Sequence, residues 1–503
     1  MAMNKQITRL AVVAILMIAA LIVATTYWQT WASAGLADRQ DNALVRVAQF
    51  TVDRGKIYAD DGRLVLATNV KKKVGGQTFY FRKYPHGDLA PHVIGYSTQS
   101  RSRAGLERSQ NDYLTGANGS LASVTRREFD ELKGVTVKGN DLLLSLNVAA
   151  QRVAVQQLAG KCGAAAAIEP STGRILALAS SPTFNSNAIE KHFSRITRAK
   201  TSACAFSAPL LDRATQGLYP PGSTFKVVTA TAALDSHAFT PESVFNDPGY
   251  CEEYGKKVSN AGNPDQNGPE AFGNVTLAQG LQHSINSVYC NIGKKIGAGS
   301  ILDYAKKFGF YAAPDVELPA DAQSPSGLYN PTTRKLFDPK HPEYQVDPGR
   351  LAFGQERLLV TPLQMAMVAA TIANDGVLMK PHLVDEVRSP TGTLVTRIGP
   401  HKERRVMSSQ TAQQLTAMMV SVVTGGTGTT VQIPGISVAG KTGTAETGVE
   451  RHYDTWFIAF APADAPKVAV AVALENQTGF GATTAGPIAK ALMEAILKSG
   501  SNT

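Results

Sequence analysis

From Leu10 to Trp31 the sequence runs without a charge, LAVVAILMIAALIVATTYWQTW, and water alone is a poor solvent for such a segment. About 20 apolar residues cross the hydrocarbon core of a bilayer as a helix, so residues 10–31 read as a membrane span. Lys5 and Arg9 precede the run, which keeps residues 1–9 on the cytoplasmic side and places everything after the span outside. Trp28 and Trp31 suit an interfacial belt. A cleaved secretory signal is the competing reading, because Ala32-Ser33-Ala34 has the small residues of a cleavage site. Cleaved apolar cores usually extend over about 7 to 15 residues, and the longer run here favours a retained single-pass anchor. Both readings export the remainder.

That remainder is globular. The chain has 503 residues, 43% of them hydrophobic, enough for two or three cores. Lysine and arginine outnumber acids by 50 to 40, but the excess is spread along the chain. Short clusters such as VKKKV at 70–74 read as solvated strand-edge residues, and nothing forms the concentrated basic stripe that nucleic acid requires. An anionic envelope or membrane surface suits the charge better. The nine histidines are scattered, and no Cys or His pair has zinc-site spacing, so neither a metal nor a cofactor is expected. The four cysteines, Cys162, Cys204, Cys251 and Cys290, lie on the exported side, where disulfides persist, and allow three pairings.

Residues 36–140 form a polar, strand-rich stretch, with RGKIYADDGRLVLATN turning at Asp61-Gly62, and read as a spacer or pedestal. From NDLLLSLNVAAQRVAVQQLAG a helical period takes over, and residues 141–503 read as a second, larger domain. It begins with a hairpin, CGAAAAIEPSTGRILALASS, and ends with the strand patterns ISVAGKTGTAE, DTWFIAFAP and KVAVAVALEN and an amphipathic helix. The middle is mixed, with helical stretches near 276–295 and 361–375 and a Gly/Asn/Pro-rich loop at 259–274. The expected class is α+β: an antiparallel sheet with helices on both sides, its first hairpin contributed from far upstream, preceded by the β-rich pedestal and the transmembrane helix.

Chemistry concentrates in three short patterns. In YPPGSTFKVV, Pro220-Pro221-Gly222 breaks the chain and a small, apolar helix begins at or near Ser223. Lys226, three residues on, falls on the same face and can take the serine's proton, while the helix start offers free N–H groups to an anion beside Ser223. No other serine in the chain has lysine at the third following position. HSINS supplies Ser284 and Asn286; the same SxN spacing at Ser109/Asn111 and Ser145/Asn147 reads as ordinary surface. AGKTGTAE supplies Lys441, Thr442 and Gly443 in a predicted strand whose glycine allows close backbone approach. Each pattern alone also fits a bland cap or strand end; SxxK, SxN and KTG in that order, in an exported chain, do not.

The set resembles the class B penicillin-binding proteins, monofunctional D,D-transpeptidases. The resemblance extends over nearly the whole chain: RGKIYADDGRLVLA and RAGLERSQNDYLTG in the pedestal, then GAAAAIEPSTGRILALAS, DRATQGLYPPGSTFK, LAFGQERLLVTPLQMAMVAATIANDGVLMKPHLV and DTWFIAFAP. The short pedestal and the wording around Ser223 look most like the penicillin-binding protein A type of actinobacteria. YADDG stands where that family usually has Asp-Arg-Asn-Gly, a departure within the pedestal.

What the resemblance implies is specific. The substrate would be the D-Ala-D-Ala end of a peptidoglycan stem peptide, with Ser223 as nucleophile and Lys226 as base. Ser284 would relay a proton and Asn286 would bind the peptide amide. Lys441 and Thr442 would orient the terminal carboxylate, with Gly443 and Thr444 on the strand that receives the peptide. β-Lactam antibiotics would acylate the same serine, and other membrane-bound wall-synthesis proteins, such as a glycosyltransferase, would be partners. A D,D-carboxypeptidase, a β-lactamase-like hydrolase and a silent scaffold share parts of this pattern. His283 is expected to be structural. Cys290 follows Asn286 closely and Cys251 opens the polar segment leading to it, so Cys251–Cys290 is the preferred disulfide among the three pairings.

Overall fold

The computed structural model describes residues 2–27, 50–117, 137–204, 206–260, 270–447, 449 and 451–500. Ala2–Tyr27 is one helix, and from Arg9 to Tyr27 it is long and apolar enough to cross a membrane, with its side chains exposed throughout. Trp28, Trp31 and the cleavage-like Ala32–Ala34 lie outside the described residues, as does most of the predicted polar loop, at 261–269.

The larger domain is built on five antiparallel strands: β1 (Gly163–Ile168), β2 (Ile175–Ser181), β3 (Ala439–Glu446), β4 (Tyr453–Ala461) and β5 (Val468–Gln477). Their order is β3-β4-β5-β1-β2, so the upstream hairpin docks on the last strand, as expected, and β3 is left at an edge. The sheet is covered on both faces, and side-chain alternation divides it. Ala165, Ala167, Phe457, Ala459, Val470 and Val472 face the helices Val148–Leu158 and Gly481–Gly500. Ala164, Ala166, Trp456, Ile458, Ala469 and Ala471 face the larger core, which includes Pro362–Ala373 and Lys226–Asp235. Alanine-rich β1 is fully buried, and its small side chains let the helices pack close.

The second sheet has six strands and is a composite. Ile57–Tyr58, Val65–Val74 and Gln77–Lys83 come from the pedestal stretch, and Asp141–Leu144, Val384–Arg388 and Leu394–Arg397 complete it. The expected helical start at 141 is therefore corrected: DLLL is a strand, pairing in parallel with Ile57–Tyr58 and antiparallel with Val384–Arg388, and the helix begins only at Val148, capped by Asn147. Ser145 is corrected too, from surface to core. It is fully buried, and its hydroxyl donates to the Ile175 carbonyl at 2.8 Å, with the carbonyls of His382 and Leu383 at 3.1 and 3.3 Å. Inside the pedestal, Glu107 is held by Arg54 at 2.9 Å and Arg82 at 2.6 Å. Burial pushes this carboxyl up, but the two guanidinium groups outweigh it and hold the group below its ordinary value. VKKKV at 70–74 is exposed, as read from the sequence.

All four cysteines are paired, Cys162 with Cys204 and Cys251 with Cys290, the preferred pairing. The second bridge joins the hairpin Tyr250–Glu253/Lys256–Ser259 to the helix that starts at Asn286.

Candidate active site

Ser223 lies in a single 3-10 turn, Gly222–Phe225, which runs directly into the α-helix Lys226–Asp235. The serine is half-buried and the lysine fully buried. Gly222 has φ +50°, and a Cβ there would lie 2.8 Å from the Thr444 carbonyl, so this glycine lets the turn meet the KTG strand. From the other side, Trp456 on β4 donates its indole N–H to the Pro220 carbonyl at 2.9 Å. The turn is thus pinned to β3 and β4 before any side chain of the site is placed.

The Lys226 amine does not hydrogen-bond to Ser223. It reaches the SxN segment instead, donating to the Ser284 carbonyl at 2.6 Å and the Asn286 Oδ1 at 2.8 Å, with Ser284 Oγ at 3.3 Å. Those contacts depend on a break that the sequence reading missed, for it placed SxN inside one helix. One helix, Leu277–Gln282, ends before Ser284, and another begins at Asn286. Ser284 bridges them with φ +61°, a left-handed conformation that non-glycine residues rarely adopt. The break frees the Ser284 carbonyl from any helical ladder and turns it to Lys226.

Lys441 completes the junction from β3. It is fully buried, and its amine contacts Ser284 Oγ at 2.9 Å and the Thr442 carbonyl at 3.0 Å. Thr442 shares a hydroxyl contact of 2.8 Å with Thr427, and the Thr444 hydroxyl accepts from the Gly481 N–H at 3.3 Å. At Gly443 a Cβ would stand 2.8 Å from Thr224 Cγ2 and 2.9 Å from the Pro221 carbonyl, so the glycine of KTG is a packing requirement of the SxxK turn.

Electrostatics follow from burial. Desolvation first, and then the neighbouring Lys441, push Lys226 well below the ordinary lysine range. Burial brings Lys441 down to about 7. A neutral amine has two N–H donors and one lone pair. On Lys226 the Ser284 carbonyl and Asn286 Oδ1 take the donors, leaving the lone pair for a hydroxyl proton. Ser284 Oγ lies between the two lysines and can pass a proton from one to the other. Once Lys226 is neutral, a form that burial and Lys441 both favour, the arrangement can accept a proton from an alcohol with no histidine taking part. His283 is turned away and stacks on Phe272 at 5.3 Å.

One neighbour was missed. The Tyr289 ring lies 5.4 Å from the Lys226 amine, and its position three residues after Asn286 on a helix was the available signal.

A model of the penicillin-binding protein transpeptidase domain matches residues 163–494, and one of the penicillin-binding protein A dimerisation domain matches residues 54–142. The chain belongs to the penicillin-binding protein transpeptidase family. It is 33% identical to the peptidoglycan D,D-transpeptidase PbpA of Mycolicibacterium smegmatis, over 99% of this chain and 100% of the relative. Among solved structures, a D,D-transpeptidase domain from Eggerthella lenta superposes with a TM-score of 0.75 at 34% identity, covering 90% of this chain and 100% of that one. Penicillin-binding protein A of M. tuberculosis, solved as a ceftriaxone acyl-enzyme complex, superposes with a TM-score of 0.72 at 31% identity, covering 90% and 100%. The two matched stretches do not overlap: residues 54–142 hold the strands Ile57–Tyr58, Val65–Val74 and Gln77–Lys83, and residues 163–494 hold all of β1 to β5.

Proposed function

We propose that the chain is a serine D,D-transpeptidase that crosslinks peptidoglycan stem peptides through an acyl-enzyme, and that β-lactams acylate it. The observation that carries this reading is the convergence of Lys226, Ser284, Asn286 and Lys441 on one buried junction, with Ser223 on the turn that leads directly into the Lys226 helix. Relatives of the whole chain are named as peptidoglycan D,D-transpeptidases, and one neighbour is an acyl-enzyme with a β-lactam.

In the mechanism, neutral Lys226 accepts the Ser223 proton as Oγ attacks the carbonyl of the penultimate D-alanine. The N–H groups of Ser223 and Thr444 stabilise the oxyanion, the first at a helix start and the second on β3. Collapse breaks the peptide bond; the departing D-alanine nitrogen takes a proton from Lys226 through Ser284, leaving an ester on Ser223. The acceptor amine then surrenders a proton along the same path as it attacks that ester, forming the crosslink and restoring Ser223. Asn286 has one N–H committed to the Ser259 carbonyl at 3.0 Å and keeps the other for the substrate amide. Lys441 and Thr442 orient the terminal carboxylate, while β3, as a free sheet edge, receives the stem peptide by strand addition.

The apolar helix anchors the chain, with residues 1–9 cytoplasmic and both domains, 36–140 and 141–503, outside, where stem peptides are presented. The pedestal orients the active site over the wall and offers a surface to a membrane glycosyltransferase. Purified full-length protein supplied with a pentapeptide donor and an amine acceptor tests the reading. Crosslinked dimer formed with release of D-alanine supports it; release without crosslinking makes the protein a carboxypeptidase. No covalent adduct with a fluorescent penicillin at all would sink the acyl-enzyme itself.

A further inference from the structure

Behind the SxN segment lies a buried polar knot that the mechanism above does not use. Asp247 ends the strand Val244–Asp247 and is almost fully buried, as are Asn260 and Ser287. One oxygen of its carboxylate accepts from the Gly249 N–H at 2.9 Å, from Asn260 Nδ2 at 3.0 Å and from the Ser287 hydroxyl at 2.5 Å. The other accepts from Asn260 Nδ2 at 2.9 Å and from the Phe272 N–H at 3.0 Å. Asn260 in turn uses its Oδ1 to accept the Ser287 backbone N–H at 3.0 Å.

That last bond has a clear reason to exist. The helix Asn286–Lys307 begins with N–H groups that have no partner within the helix, and its N-cap residue is Ile285, which cannot supply one. Asn260 caps it from another part of the chain. The residue before it, Ser259, accepts from Asn286 Nδ2, so the same strand end fixes the orientation of the Asn286 amide and points Oδ1 at Lys226.

We infer that Asp247, Asn260 and Ser287 are positioning residues for the acylation step, holding the first turn of the Asn286 helix so that Asn286 and Ser284 meet the Lys226 amine. The inference rests on the proposed reading of Ser223 and Lys226. A cluster that served stability alone has no need of a buried carboxylate, whose desolvation is costly and whose removal leaves donors unpaired. Of the five hydrogen bonds on Asp247, the one from the Ser287 hydroxyl reaches the helix itself and the two from Asn260 hold the side chain that caps it. A displacement of about 1 Å at a reacting group costs on the order of 100-fold in rate.

Ser287→Ala and Asp247→Asn test the inference in the full-length protein. Acylation by a fluorescent penicillin is followed from acid to alkaline pH, with the melting temperature of each variant measured in parallel. The titratable groups that face Lys226 are Lys441 from β3 and Tyr289 from the helix itself. Once Asn286 and Ser284 drift, water reaches the amine, so the acid limb of the profile moves to higher pH. The expected result is folded protein, acylation slowed about 10- to 100-fold, and an acid limb raised by about one unit. Folded variants acylated at the wild-type rate with an unmoved limb overturn the inference. So does a loss of rate that only tracks the loss of folded protein. If Asp247→Asn does not fold, Ser287→Ala, which deletes one hydroxyl, decides alone. A wild-type protein that takes no penicillin refutes the proposed function instead, and the two failures are distinct.

Discussion

Lys441→Met isolates the charge of the second lysine, because methionine fills a similar buried volume without an amine. Both lysine amines contact Ser284 Oγ, at 3.3 and 2.9 Å, which keeps the two nitrogens within about 6 Å of each other. Two unit charges at about 6 Å, in an effective dielectric of about 20, repel by about 3 kcal/mol, or about two pKa units. In the proposed mechanism Lys226 acts as a base only when neutral, and Lys441 depresses its pKa, so the substitution raises that pKa toward the ordinary value. The full shift applies where Lys441 is protonated, below about pH 7. In a plot of penicillin acylation rate against pH, the acid limb of Lys441→Met should therefore move up by as much as about two units, a deficit of up to about 100-fold at a pH below both limbs. Burial, the larger cause of the Lys226 shift, persists in the variant. Lost anchoring of the substrate carboxylate also acts where Lys441 is charged, below about pH 7, but there it scales the rate by a constant factor without moving the pH at which Lys226 titrates, so the limb position carries the electrostatic effect. A lowered plateau with an unmoved limb, in folded protein, would refute the electrostatic reasoning.

Stability should change in the opposite sense. The folded-state pKa of Lys441, about 7, lies below the unfolded lysine value, so its burial destabilises the native state most below pH 7, and this cost fades as pH rises toward about 10.4. Lys441→Met should raise the melting temperature at pH 6 and lose that advantage near pH 10. Ser223→Ala should abolish covalent labelling by fluorescent penicillin, checked by intact-protein mass, with the melting temperature unchanged within a few degrees. Gly443→Ala places a methyl against Thr224 and the Pro221 carbonyl, an overpacking cost of about 1–3 kcal/mol that should slow acylation by parting β3 from the Ser223 turn; wild-type acylation would contradict the contact. Glu107→Ala leaves Arg54 and Arg82 without their carboxylate and should destabilise the pedestal by about 3–5 kcal/mol, read as early proteolysis of residues 54–142 while penicillin labelling persists.

The five-stranded sheet could be read from the sequence because its strands are apolar runs bounded by turn residues, with Ser171-Thr172-Gly173 between β1 and β2. The error at Asp141–Leu144 shows where that reading stops. Four residues, DLLL, fit a helix or a strand equally, and what decides is pairing with Ile57–Tyr58, some 85 residues earlier by the Lys56–Asp141 contact, and with Val384–Arg388, far downstream. Periodicity is local; such pairing is not. Ser145 was misjudged for the same reason. It lies just past the end of that strand and is buried because segments distant in sequence close over it.

The site divides along the same line. Ser223, Lys226, Ser284, Asn286 and Lys441 stand out in the sequence because each role proposed for them occupies a short pattern with a restricted residue type. The geometry that joins them is not written in those patterns. No proline or glycine occupies 283–285 to announce a break, yet Ser284 takes a left-handed conformation there, and the Lys226 and Lys441 contacts depend on it. Local preference opposes that conformation, so neighbouring contacts must impose it. The nearest candidates are the Ile285 N–H bonded to the Gly280 carbonyl at 2.9 Å and the helix start held by Asn260 and Asp247. Residues 247, 260 and 287 form no sequence motif, being separated by turns, strands and a disulfide-bridged hairpin. A search for catalytic patterns finds the groups proposed to exchange protons, whereas the groups inferred to set their distances emerge only once the backbone donors of a particular helix end have been counted.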